Sequence, residues 1–389
     1  MKKKALIVVN LAGFLTFLWN DIKTLQDMGY EVSIAMNGLM KDGSPAVEIA
    51  RLKKMGIQYH QIDFDTKSPM SKQNLRAYKQ IKSVLKNGYS LIHCHTPIVG
   101  LLVRLAAKKY RKKGTKVIYT THGFTFTDRS SKKTWMLYYN MEKFASKYCD
   151  AIITINHEDL NNAKKMHCKH TYVIPSVGLD CSRFEKVTVD KEAYRTKLGI
   201  AEDDIMVLAV GELSDRKNHQ IIIKALGKID DKNKYIFVIC GRSVVNSGME
   251  SRLTNLADEN GVRLVLAGHR LDIPEMNACA DIAVIPSLRE GMGMSGLEAL
   301  ASGVPVIGSD VQGIREYVIN GKTGYLCDPF SEDEFAAAIV KVESLSAKEK
   351  AVMKKNCRSV AKKFDKQYSQ LAMKKIYQEI LKLFLIWQT

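Results

Sequence analysis

The chain has 389 residues, 46% of them hydrophobic and 26% charged, with 59 Lys and Arg against 41 Asp and Glu. A length of this size implies two to three domains at roughly 100–200 residues each. The composition excludes a disordered, collagen-like or low-complexity chain, and no apolar stretch approaches the ~20 residues of a bilayer-spanning helix.

The net charge of +18 is uneven. Residues 1–180 carry +16, residues 181–340 carry −6 and residues 341–389 carry +8. A uniformly basic nucleic-acid binder would not leave an acidic middle, and none of the known nucleic-acid-binding motifs is present. The skew instead predicts that the first half and the C-terminal stretch face an anionic partner, a membrane surface or phosphorylated lipid foremost. Basic clusters at Lys108-Lys109-Tyr110-Arg111-Lys112-Lys113 and at Arg51, Lys53 and Lys54 contribute to it.

Met1-Lys2-Lys3-Lys4 and the apolar run from Ala5 to Trp19 imitate the start of a secretory signal. Asn10 and Gly13 interrupt the run and no small-x-small cleavage site follows, so a buried strand at 5–9, a loop at 10–13 and a helix ending near Met28-Gly29 are predicted. Further strands are expected at 31–35, 91–93, 116–120 and 151–154, with helices at 75–86 and 100–111. A second series places strands at 206–210, 235–240, 262–266, 282–285 and 305–308, with helices at 220–228 and 296–301. Two serial sets of βα units imply two Rossmann-like α/β domains with parallel sheets. The punctuated stretch Ile174-Pro175-Ser176-Val177-Gly178 divides them, giving domains 1–178 and 179–365. Ligands of such sheets bind beyond the carboxyl ends of the strands, and two facing domains would share a central cleft. Eight cysteines without a C-x-x-C pair, several in apolar segments, read as free buried thiols of a reducing, cytoplasmic compartment. His93-Cys94-His95 has no further ligand cluster to complete a metal site.

The sharpest segment runs from Ile285 to Leu300 and contains Glu290, Gly291, Met292, Gly293, Met294, Ser295, Gly296 and Glu298. A strand end, a glycine-rich loop and a helix start near Ser295 suit a phosphate or sugar oxygen. The glycines are expected to let a ligand approach the backbone. His122 stands just past a predicted strand, and Lys217 follows another.

Glu290-x7-Glu298, Ala301-Ser-Gly-Val-Pro-Val306, Gly313-x-x-Glu316 and Asn320-Gly-x-x-Gly324 closely resemble family 4 of the retaining nucleotide-sugar glycosyltransferases. So do Ile174-Pro175 with Gly178-x-Asp180 and Arg183-Phe184, Gly211-Glu-Leu with Lys217-Asn-His-Gln220, and Gly268-His-Arg270 with Asp272-Ile-Pro274. The variants are most similar to bacterial capsule and exopolysaccharide transferases.

The resemblance implies a GT-B fold whose C-terminal helix, 366–389, crosses back to an acceptor-binding first domain. It implies a hexosyltransferase that takes a nucleotide-sugar, UDP-linked in most such relatives, to a lipid-diphosphate-linked saccharide at the inner membrane face. Glu290 would hold the donor sugar and Glu298 the ribose. Amides in the loop Gly291–Ser295, around Met294 and Ser295, would meet the diphosphate. Lys217 with Arg216 would neutralise the leaving group, with Arg270 on the donor side. His122 would bond the sugar, and Gly13 would lie near the phosphates. No cofactor and no metal is expected, since no Asp-x-Asp motif is visible. Two departures stand out: Glu212 where many relatives have Arg, and one glycine in Asn10-Leu-Ala-Gly13 where many have two. A sugar-nucleotide epimerase or phosphorylase of the same fold is the rival reading, and a basic nucleic-acid-binding protein a more remote one.

Overall fold

The structure is a computed structural model that describes residues 3–385 except 41, 66–67, 69–70 and 244–247, with side chains described as far as Lys382. The chain divides into two units, one of residues 1–178 and 367–389, the other of residues 179–366.

The first unit holds seven strands: β1 (Lys3–Leu11), β2 (Tyr30–Asn37), β3 (Gln58–Gln61), β4 (Leu91–His95), β5 (Lys116–Thr120), β6 (Ala151–Thr154) and β7 (His170–Val173). They pair in parallel in the order β3-β2-β1-β4-β5-β6-β7. The second unit holds β8 (Ile205–Val210), β9 (Tyr235–Cys240), β10 (Arg263–Gly268), β11 (Ile282–Ile285), β12 (Val306–Ser309) and β13 (Gly324–Cys327), in the order β10-β9-β8-β11-β12-β13, again parallel. Central strands such as β9 (Tyr-Ile-Phe-Val-Ile-Cys) are buried at every position, as a parallel sheet covered by helices on both faces requires. The fold is therefore two Rossmann-like units, as the alternating pattern predicts.

Three strands escape the sequence reading. β3, β7 and β13 are sheet edges, and the first two carry polar residues at exposed or half-buried positions, such as Gln58, His60 and Thr171. Those polar residues break the apolar run that marks a strand, and Gly-Tyr-Leu-Cys of β13 is too short a run to stand out, whereas the edge strand β10 keeps its run and is expected. The expected loop at 10–13 is also corrected. β1 continues to Leu11, and Ala12–Phe17 winds into a 3-10 turn that leads to the helix Trp19–Asp27. The signal-like run is thus a strand with Ala5 to Val9 fully buried.

Residues 367–385 of the last helix, Lys366–Leu385, belong to the first unit. Met373, Ile376, Tyr377 and Ile380 form its buried stripe, spaced as one face of an α-helix demands. Leu371, apolar in the same helix, is exposed. Leu383 and the apolar tail 384–387 lie outside the described side chains. Within the unit, Tyr377 Oη is 2.7 Å from His93 Nδ1, and Tyr172 Oη donates to Glu379 at 2.8 Å. All eight cysteines are free and buried. Among the described residues no helix is long and apolar enough to cross a membrane.

Candidate active site

In an open parallel sheet the ligand crevice opens where the strand order reverses. In the second unit that point lies between β8 and β11. β8 runs into Gly211 and then into the short turn Asp215–Lys217, while β11 ends at Ile285 and runs into Ser287 and Glu290. The backbone N–H of Leu288 donates to Arg216 O at 2.9 Å, which ties the two loops together.

Across that tie Lys217 Nζ lies 2.8 Å from Glu290 Oε2, and Arg216 Nη1 approaches the same oxygen at 3.3 Å. Ser287 Oγ donates to it at 3.2 Å. Lys217 and Glu290 are shielded, at 13% and 16% side-chain exposure, while Arg216 is the more open, at 41%. Burial alone would raise the Glu290 carboxyl pKa. The charges of Lys217 and Arg216, with the bonds from Lys217 and Ser287, overcome it and hold the group below the usual carboxylate range. Glu290 is thus a carboxylate near neutral pH, an acceptor of hydrogen bonds flanked by two cations.

The next helix, Met294–Ser302, begins with Gly293 at φ 73° and no side-chain cap. Gly296 N donates to Gly293 O at 2.9 Å, and the N–H groups of Met294 and Ser295 sit at the helix start with the positive end of its dipole. Gly293 and Gly296 also answer a packing demand of the fold. A Cβ on Gly296 would stand 2.3 Å from Tyr317 Oη and 2.7 Å from Ile285 Cδ1, and one on Gly293 would stand 2.8 Å from Tyr317 Oη. Tyr317 Oη itself donates to Gly293 O at 3.0 Å. Both glycines make room for a buried tyrosine that fixes the loop. Gly313 N donates to Glu290 O at 3.1 Å and pins the loop from another side. Met292 is buried, and Gly291, Met294 and Ser295 are half-buried.

Glu298 sits one turn into this helix, half-buried among Leu297, Ala299 and Leu300. Burial pushes its carboxyl up to about 7, against a weaker lowering by Arg183. No hydrogen bond to its carboxylate is present among the described residues, so the group is poised for a partner such as a pair of hydroxyls. Arg270 is already engaged. Its Nε bonds Asp272 Oδ1 at 2.8 Å, its Nη2 reaches Asp272 Oδ2, and the same nitrogen donates to Tyr194 Oη at 3.1 Å. The structure brings Glu290, Lys217 and Arg216 together and leaves Arg270 in a separate network.

In the first unit the reversal lies between β1 and β4. His95 ends β4, and His122 follows β5. His95 Nδ1 and His122 Nε2 share a hydrogen bond of 3.1 Å. Burial lowers the His122 pKa to about 3 and, with the charges of His93 and His122, that of His95 well below the usual value, so both rings are neutral. Phe14 lies edge-on to His122 with ring centroids 4.6 Å apart. His122 Nδ1 and His95 Nε2 are buried and unpartnered among the described residues, each an unmet hydrogen-bonding capacity at the crevice end of the sheet. His93 is a structural group: its two nitrogens meet Tyr377 Oη and Thr120 Oγ1, each at 2.7 Å. Gly13 is exposed in the 3-10 turn with open space around it.

Sequence reasoning missed Tyr317, Tyr377 and Thr120, which hold Gly293 and His93. Nothing in their local sequence marks them, because their partners lie up to 284 positions away. Asp21 was missed too. Burial raises its carboxyl to about 7 on the helix that follows the 3-10 turn.

Residues 190–360 match the family described as glycosyl transferases group 1, and residues 4–156 match the family described as glycosyl transferase 4-like. The chain is 35% identical over 347 residues to EpsD of Bacillus subtilis, a protein bearing the name of a glycosyltransferase, with 87% of each chain covered. It is 31% identical over 305 residues to the UDP-Gal:α-D-GlcNAc-diphosphoundecaprenol α-1,3-galactosyltransferase of Escherichia coli, covering 74% of this chain and 76% of that one. Among solved structures, Anabaena HepE in complex with UDP-glucose superposes with a TM-score of 0.77 at 19% identity, covering 97% of this chain and 99% of that one.

Proposed function

Because the chain belongs to the family-4 glycosyltransferases of GT-B fold, we propose that it moves a hexose or N-acetylhexosamine from a UDP-sugar to a lipid-diphosphate-linked saccharide in exopolysaccharide or capsule synthesis. The Glu290–Lys217–Arg216 cluster beside the open start of the Met294 helix carries this reading. A leaving diphosphate is the largest developing charge of such a reaction, and preorganised cations with helix N–H groups are the efficient way to meet it. Lys217 and Arg216 are held in place by Glu290 before any substrate arrives. When the diphosphate binds they turn part of their charge toward it, which releases the Glu290 carboxylate to bond the donor sugar's hydroxyls. Glu298 receives the ribose hydroxyls on its unpartnered carboxylate, and neutral His122 offers Nδ1 to a sugar hydroxyl.

Reaction on one face of the sugar then retains configuration, with a donor phosphate oxygen accepting the acceptor's proton. The cations and helix start supply the charge that a metal ion supplies elsewhere. The named donor and acceptor of the Escherichia coli relative favour UDP and a lipid diphosphate. A membrane-facing first unit agrees with its +16 charge. It agrees also with Met136, Leu137 and Phe144, exposed on the helix Lys132–Ala145 among Lys133, Lys143 and Lys147. Such an enzyme would work in the cytoplasm, peripheral to the inner membrane face.

Thermal stabilisation by UDP, GDP, ADP and CMP, each with EDTA present, tests the donor reading. UDP is expected to raise the melting temperature of the protein and not of Glu298→Ala. No shift with UDP, or a shift only with another nucleotide, would overturn the UDP reading; dependence on added divalent metal would overturn the metal-independent one.

A further inference from the structure

At the opposite end of the second sheet from Glu290, where β8, β11 and β12 begin, lies a half-open pocket of about 430 Å³. Ile205, Ile282, Val304, Pro305, Val342 and Met353 give it an apolar wall. Its volume falls within the ~300–1,000 Å³ of small-molecule sites. Most of the acidic side chains at its rim are spoken for. Asp204 pairs with Arg263, Asp281 with Arg195 at 3.1 Å, and Glu343 with Lys234 at 3.4 Å, leaving Asp203 out in solvent.

The basic side chains are not matched in this way. Lys191, Lys350 and Lys354 line the same cavity and form no ion pair among the described residues. At one corner of the lining, Gly303 is flanked by Lys354 and by Arg358, which itself stands just behind the lining. A Cβ on Gly303, which closes the Met294–Ser302 helix at φ 87°, would lie 2.7 Å from Lys354 Cγ and 3.1 Å from Arg358 Nε. Arg358 Nη2 donates to Ser302 O at 3.2 Å, but its Nε is buried with no partner. Burial, then the charges of Arg358 and Lys191, lower the Lys354 pKa. The negative end of one helix dipole offsets only about half a charge. Lys191 and Lys354 reach water, so the buried Arg358 Nε is the group at this corner left without an acceptor among the described residues.

We propose that this pocket binds a small organic anion, one phosphate or carboxylate on an apolar body, with the anion between Lys191 and Lys354 at the Gly303 corner beside Arg358 and the body against Val304 and Ile282. The site is separate from the donor site and does not depend on the donor reading. Free phosphate esters and lipid phosphates share this headgroup chemistry, and the cavity's size suits a short body.

The test is calorimetric melting of the full chain with hexyl phosphate, inorganic phosphate, hexanol and vesicles containing phosphatidic acid. Hexyl phosphate is expected to raise the melting temperature by roughly 5 °C at about a hundredfold excess over Kd. Inorganic phosphate and hexanol are expected to do far less. Vesicle binding lost in Lys354→Met would replace the small ester by a lipid as the occupant and overturn the proposal in its small-molecule form. Lys191→Met and Lys354→Met should abolish the hexyl phosphate shift and keep any UDP shift, as should Ala278→Trp, which fills the cavity. A shift that survives in all three variants, or one lost instead in Lys217→Ala, overturns the proposal. So does an equal shift with inorganic phosphate. If UDP fails to stabilise the parent protein, the donor reading falls while the hexyl phosphate result still decides this site.

Discussion

Replacing Lys217 by Met removes the 2.8 Å partner of Glu290 and leaves a carboxylate at 16% exposure. Breaking a buried pair by deleting one partner costs ~3–5 kcal/mol. Arg216 at 3.3 Å and Ser287 at 3.2 Å remain as partners, so a loss of about 2 kcal/mol is expected, a fall of about 4–8 °C in melting temperature. The pH dependence identifies the cause. In the parent protein burial raises the Glu290 pKa, but Lys217 and Arg216 hold it below the ordinary value. Its contribution to stability is therefore complete above the unfolded carboxyl pKa and lost as the pH falls through the folded one. In Lys217→Met burial meets weaker opposition and the carboxyl moves upward. The penalty should then be largest near pH 7 and shrink toward pH 4. Differential scanning calorimetry at both pH values is the assay, since none of the tryptophans Trp19, Trp135 and Trp387 lies within residues 179–366 to report on this unit. An equal penalty at the two pH values would refute the pairing of Lys217 with Glu290 as the source. Transferase activity should fall by about 100-fold or more, the scale of losing one preorganised charge donor.

Glu298→Gln is expected to stabilise the second unit at pH 8 and to leave it nearly unchanged at pH 4.5. Burial raises the folded carboxyl to about 7, so the parent loses stability as the pH climbs from the unfolded value through 7; calorimetry that finds no such pH slope would refute this. Gly296→Ala forces a Cβ to within 2.3 Å of Tyr317 Oη and should cost about 1–3 kcal/mol. Combining it with Tyr317→Phe should cost less than the sum of the two, and additive melting losses would show that the two positions do not share the space. Tyr377→Phe removes a buried hydrogen bond to His93 and should lower the first unit's stability by about 1–3 kcal/mol, read as a lower urea midpoint by tryptophan fluorescence. His122→Ala is expected to reduce turnover while leaving the UDP-induced melting shift intact; loss of that shift would contradict its placement on the sugar.

Much of this protein is written locally. Apolar runs at β1, β5, β6, β8 and β9 identify themselves because a strand covered on both faces needs apolar residues throughout. The order of strands and helices, the break at Gly178 and the pairing of a glycine-rich loop with Glu290 and Glu298 follow from sequence order, which local physics reads directly. Edge strands β3 and β7 do not, because their exposed and half-buried positions tolerate Gln, His and Thr, and β13 is too short an apolar run to stand out.

Which side chains meet was decided by tertiary structure alone. Lys217 and Glu290 are 73 positions apart and come together because β8 and β11 are neighbours at the strand-order reversal. That Gly293 and Gly296 make room for Tyr317 is not legible locally, since a Cβ clash depends on what the rest of the chain brings to that point. His93 and His95 alternate on one strand and look alike. Only the packing of the last helix, with Tyr377 against His93, makes the first structural and leaves His95 and His122 with open nitrogens. Periodicity records how a segment is buried; the identity of the neighbour that buries it is a property of the whole fold.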